Sequence, residues 1–307
     1  MQPPCLQTAN RLKVESTVYG ILITTYLFLG GAASGSLLIM CSWSLIFHYR
    51  KSHRSPRIRR AFRALKSAVY TISFILLAIS VLCLAFDLAS PHRAYLLFMR
   101  PHPTPITFGA FALTFGLAIG FLLVVANLLR PRAMNGYVKG ALEALGVVCS
   151  ICIMAYTGVF LYTQPAVAIW HTVTIVPLFI FSSISSGISV VLLIDYFIQG
   201  KVLLLRTVQP MQKLHLVCLA LESAALAAFA FAMFGNPHAS KSVDLLLNPD
   251  MLGCAGLGIV GMGIIAPACL ETYALTRGQC RSIPISDVIC LIGGFCLRFC
   301  IIMCGAH

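Results

Sequence analysis

Apolar runs of twenty or more residues recur along the whole of this 307-residue chain. A helical run of about 20 apolar residues crosses the hydrocarbon core of a bilayer, and several in succession leave little room for a soluble fold. We read eight runs, at about 18–47, 68–88, 105–129, 140–162, 167–197, 214–235, 251–275 and 283–304. The first and fifth exceed what a crossing needs, so they are expected to tilt or to project beyond the membrane. No polar stretch between runs is long enough for a separate soluble domain. The expectation is one all-α integral membrane domain over 1–307, in contact with lipid on its flanks. Composition agrees: 10% of residues are charged, against about a quarter in soluble domains. The opening segment MQPPCLQTANRLKVES is too polar for a secretory signal peptide, and the first run is too long for one.

Net charge is +13, and its distribution gives an orientation. Loops 1–2, 3–4, 5–6 and 7–8 hold sixteen lysines and arginines, eight of them between Arg50 and Lys66. The opposite side holds five: Arg11, Lys13, Arg93, Arg100 and Lys241. Basic loops remain cytoplasmic, so both termini are expected on the outer side. Topology accounts for the basic 1–2 loop, and no nucleic-acid partner is expected.

A short internal repeat is visible. Residues 26–38, YLFLGGAASGSLL, can be laid on 178–190, LFIFSSISSGISV, with Ser34-Gly35 falling on Ser186-Gly187. Both segments run from outside to inside. The repeat would therefore be parallel, giving two four-helix bundles over about 18–162 and 167–304. Small residues at these places let helices approach closely in lipid. The thirteen cysteines fall mostly in apolar runs, where thiols behave as small hydrophobes. Cys149 and Cys152 form C-x-x-C, but inside a membrane run, and Cys296, Cys300 and Cys304 share a helix face. Packing is the simpler reading of both sets.

The outward stretch FDLASPHRAYLLFMRPHPTPITFG, residues 86–109, is unusually polar for this chain. Ser90-Pro91 reads as a helix start, and Pro101, Pro103 and Pro105 end it, so a short interfacial helix is expected over 91–99. Asp87 closes the second span and needs a partner. A locally capped surface loop fits the same residues.

Three segments together resemble the NrfD/PsrC family, the membrane subunits of polysulfide reductase-like molybdoenzyme complexes. They are YLFLGGAASGSLLI, FDLASPHRAYLLFMRPHPTPITFGAF and AYTGVFLYTQPAVAIWHTVTIVPLFIFSSISSG. The resemblance covers roughly residues 18–198. It implies eight helices in two bundles in the bacterial inner membrane, with a menaquinone or ubiquinone site near the outer face. It also implies an iron–sulfur, ferredoxin-like partner joined to a molybdopterin catalytic subunit. Asp87-Leu88-Ala89-Ser90-Pro91 stands where the family commonly has an Asp-Leu-Gly-Arg-Pro-like run.

A quinone needs an apolar slot, a donor to a carbonyl oxygen and a group that exchanges protons. Tyr156 supplies the donor; Asp87, His171 and Arg93 lie at the same outer end. For Tyr156 and His171, interfacial packing is the alternative. Arg93, Arg100 and His102 would dock the iron–sulfur partner. Intramembrane ionisable residues are functional candidates by default. Glu222, Arg298, Glu143, Asp287 and Glu271 are accordingly read as a proton route, with local pairing as the alternative. The depths of Glu222 and Arg298 along their helices differ by more than a close contact easily allows. Haem would need two histidines at matching depth inside a bundle. His215 and the rest are read in loops or near helix ends, so no haem or metal is expected. A secondary transporter with intramembrane carboxylates is the competing function.

Overall fold

The computed structural model describes residues 4–49, 56–87, 104–128, 136–164, 169–199, 205–235, 249–277 and 284–305. The described secondary structure is helical. Eight helices are long and apolar enough to cross a membrane. They are α1 (Pro4–Tyr49), α2 (Pro56–Asp87), α3 (Pro105–Leu128), α4 (Gly136–Tyr162), α5 (Ile175–Gln199) and α6 (Leu205–Phe234). A continuous helical rod from Pro249 to Thr276 forms α7, and α8 is Pro284–Met303. With successive helices crossing in alternate directions, the C-termini of α1, α3, α5 and α7 and the N-termini of α2, α4, α6 and α8 define one end, called the basic end; the other is the far end.

Several boundaries differ from the sequence reading. The second span begins at Pro56 rather than near 68, so Arg57 to Lys66 are helical and not loop. Arginine and lysine have good helix propensity, and hydropathy alone cannot see such an extension. The sixth helix likewise begins at Leu205 rather than 214. The fifth begins at Ile175, not 167. Turns occupy Ile169–Trp170 and Val173–Thr174, and Trp170 Nε1 donates to the Ile301 carbonyl at 2.9 Å, tying this connection to the far end of α8. The expected helix over 91–99 lies outside the described residues.

The centre is occupied by α1 and α5. Buried residues make up 61% of the α1 span and 72% of the α5 span, against 22–33% for α2, α3, α6 and α7. The less buried helices are therefore the ones presenting apolar side chains outward, among them Phe115, Phe121, Leu257 and Phe231. α1 packs on α2, α4, α5 and α8; α3 packs on α2 and α4; α5 packs also on α4, α6 and α8; α7 packs on α8. The α1–α5 seam is closed by the two segments that align in sequence. A Cβ on Gly35 would sit 2.1 Å from the Ser183 carbonyl oxygen, and one on Gly187 would sit 2.3 Å from the Gly35 carbonyl carbon. Only glycine lets the two backbones touch here.

The interior of α7 is not α-helical. Cys254–Ile265, CAGLGIVGMGII, is wound as a π-helix, and the Ala266 N–H donates to the Gly261 carbonyl five residues back. Four glycines weaken the α preference of this run. Pro267 follows inside the first turn of the next α segment, and, having no N–H, it gives no backbone donor to the preceding turn. Wide π turns usually come singly and often mark functional sites.

Candidate functional site

Tyr156 is 3% exposed on α4 and packs with Ala33, Leu77, Ala112, Leu113 and Ile153. Its ring lies flat against α3 at Gly109, where a Cβ would come within 2.0 Å of a ring carbon. Glycine at that place makes the slot that the phenol fills. Phe160 flanks it, with ring centroids 5.8 Å apart. The result is a packed apolar cluster in the α1–α4 half, toward the far end, with one phenolic hydroxyl in it.

His171 lies at the far end too, but exposed. It stacks on Tyr162, centroids 5.1 Å apart and rings 8° from parallel, with Nδ1 3.1 Å from the Tyr162 carbonyl oxygen. Tyr162 is six residues beyond Tyr156, or about 9 Å of helix rise, so His171 and Tyr156 do not touch through this stack. Asp87 ends α2. Its side chain, and Arg93, Arg100 and His102, lie outside the described residues.

The intramembrane charges fall into two groups. In the α1–α4 half, Lys66 Nζ bonds Glu143 Oε1 and, at 2.7 Å, Ser44 Oγ. Glu143 thus has a local cation, held between α1, α2 and α4. Ser36 and Ser73 hydroxyls meet at 2.6 Å farther along the same α1–α2 seam.

The α5–α8 half holds a longer polar line. His215 on α6 is fully buried, with Nδ1 2.5 Å from Glu271 Oε1 on α7. Its Nε2 lies 3.2 Å from Ser185 Oγ and 3.3 Å from Ser189 Oγ, both on α5, and 3.6 Å from Cys290 Sγ on α8. Asp287 completes the group: one ligand atom each of His215, Glu271 and Asp287 lie within 4.8 Å of one another. Farther along, Glu222 lies beside Ser182 and Ser185 and within electrostatic range of Arg298.

Arg298 is fully buried on α8. It donates to Ser183 Oγ at 2.9 Å, Ser182 Oγ at 3.1 Å and the Gly294 carbonyl at 2.9 Å. The Phe28 and Phe179 rings lie 5.6 and 5.4 Å from its guanidinium carbon. Glu222 and Arg298 interact electrostatically across the line, with no ion pair between them among the described residues. Helical side chains lean toward the N-terminus of their own helix, which carries the long Arg298 side chain back toward Glu222.

The His215 group offers one imidazole nitrogen and two carboxylate oxygens within 4.8 Å of one another, a donor set that a metal could use and that can equally share a proton.

The structure thus brings Glu271, Asp287, Glu222 and Arg298 into one half, and places Glu143 in the other. The sequence reading missed His215, Ser185 and Ser189 as members of the polar line. Setting the sixth span at 214 put His215 at a helix end. The serines were taken for packing residues. The available signal was the α6 stripe Gln212, His215, Leu219 and Glu222, all buried at helical spacing.

A family model for the polysulphide reductase, NrfD, matches residues 10–307. The chain belongs to the NrfD family. The C subunit of polysulfide reductase from Wolinella succinogenes is 28% identical over 302 residues, covering 92% of each protein. The match runs through both halves, well past residue 198, where the three resembling segments end. As an NrfD-family protein with eight spanning helices, the chain is a multi-pass membrane protein.

Proposed function

We propose that this NrfD-family protein is the quinone-reactive membrane subunit of a respiratory oxidoreductase complex. It exchanges electrons between a membrane pool of menaquinone or ubiquinone and an iron–sulfur subunit docked at the far end. That subunit joins it to a molybdopterin catalytic subunit. The membrane is the bacterial inner membrane, with the basic end in the cytoplasm and both termini outside. The α1–α4 and α5–α8 halves are read as parallel repeats meeting at Gly35 and Gly187.

One observation carries the quinone assignment within the family: Tyr156, a buried phenol in an apolar cluster whose ring seats on α3 at Gly109. A quinone ring entering beside Tyr156 would meet an apolar surface and a hydroxyl that can donate to its oxygen. Asp87 and His171 take the role of exchanging protons, directly or through water. Arg93, Arg100 and His102 form the docking face for the iron–sulfur partner, and arginine's planar fork suits acidic groups and carbonyls there. The test is quinol oxidation by the complex purified through a tag on this chain. Gly109→Leu would displace the Tyr156 ring, and activity should be lost while the complex stays assembled. Full activity in that variant removes Tyr156 from the quinone path.

A further inference from the structure

We propose that the α5–α8 half is a proton entry from the basic end to mid-membrane, and that His215 is the relay joining its two segments. The proposal goes beyond the quinone reading and stands without it.

Both ring nitrogens of His215 face groups that can exchange a proton, on opposite sides. Nδ1 meets Glu271 at 2.5 Å; Nε2 meets the Ser185 and Ser189 hydroxyls at 3.2 and 3.3 Å. Ser185 also lies beside Glu222. A merely structural polar cluster closes its hydrogen bonds, because an unmatched buried polar atom is costly. Here Glu271 Oε2 and both amide atoms of Gln212 are buried with no partner among the described residues. Gln212 is one turn from His215, toward the basic end and on the same face of α6. Ser286 Oγ, near the start of α8, is open as well, so most of the open valences lie on the approach from the basic end; inward of His215, Arg298 Nε is also without a partner among the described residues. The charged or titratable groups facing the line are Glu271 on α7, Asp287, Cys290 and Arg298 on α8, and Cys218 and Glu222 on α6.

The step balances as one proton in and one proton out. Glu271 passes a proton to Nδ1. Nε2 gives its own to the Ser185 oxygen, and Ser185 releases its hydroxyl proton to Glu222. A tautomer shift resets the ring. Arg298, fixed on Ser182, Ser183 and the Gly294 carbonyl, ends the line with a positive charge that opposes a passive leak. Glu143, bonded to Lys66 in the other half, stands outside it.

The test uses the full-length protein reconstituted on a solid-supported membrane, with its basic end facing the solution. An acid pulse should give a transient charge displacement as protons enter as far as Glu222. In His215→Gln and in Glu222→Gln the displacement should fall at least about tenfold, since positioned proton carriers are worth that much or more. Ser185→Ala, a smaller change than His215→Gln, should give the same loss if that variant does not fold. Wild-type displacement in folded His215→Gln or Ser185→Ala, or no displacement in the wild type, overturns the relay. Quinol oxidation is measured separately, in uncoupled vesicles, on the complex purified through a tag on this chain and supplied with an electron acceptor. Its absence in the wild-type complex would sink the quinone reading and leave the displacement to decide the relay.

Discussion

Tyr156→Phe deletes one hydroxyl and leaves the ring that fills the Gly109 slot. If the hydroxyl bonds a quinone oxygen, the loss is about 0.5–1.5 kcal/mol, or roughly two- to tenfold in affinity. Quinol titration of turnover should show that weakening with little change in thermal stability. Arg298 calls for a different experiment. Arg298→Met strips three hydrogen bonds and the cation beside Glu222, so it should cost about 3–5 kcal/mol in detergent unfolding. Adding Glu222→Gln should restore part of that; strictly additive losses would mean the two residues are not coupled. Both residues could be picked out in the sequence, since an arginine inside an apolar run and a tyrosine in a family motif stand out. His215 could not, because whether a histidine near a span boundary faces loop or core depends on where its helix starts. That start, Leu205, is set by residues whose hydropathy resembles a loop.

At the level of helices, the contact that fixes the molecule's centre is Gly35 against Gly187. Gly187→Ala would drive a methyl to 2.3 Å from the Gly35 carbonyl carbon, and such overpacking costs about 1–3 kcal/mol. Thermal unfolding in detergent should register it, whereas alanine at Gly140, with open space around it, should leave stability nearly unchanged. The existence and number of spanning helices followed from the apolar runs, because length and hydropathy alone set them. The close α1–α5 approach was legible as well, through Ser34-Gly35 and Ser186-Gly187. The π winding of Cys254–Ile265 was not. Its glycines and Pro267 are visible, but α and π turns expose the same apolar side chains, so periodicity barely separates them.

The molecule as a whole has a strong asymmetry: sixteen basic residues assigned to one end by the loop reading, and the Tyr156 cluster toward the other. Cysteines introduced at residue 53 should therefore be blocked only by reagents that cross the membrane. Labelling there by an impermeant reagent from outside would put the Tyr156 cluster on the cytoplasmic side. The proposed electron exchange with a quinone would unite the family membership, the Tyr156 cluster and the proposed docking residues. The most direct measurement is the reduction of the partner's iron–sulfur centres by quinol, followed by electron paramagnetic resonance, in the complex isolated through a tag on this subunit. The account predicts rapid reduction by quinol in the wild type and weakened quinol dependence in Tyr156→Phe. Centres that quinol leaves oxidised in an intact wild-type complex, or a Tyr156→Phe titration indistinguishable from the wild type's, would contradict it.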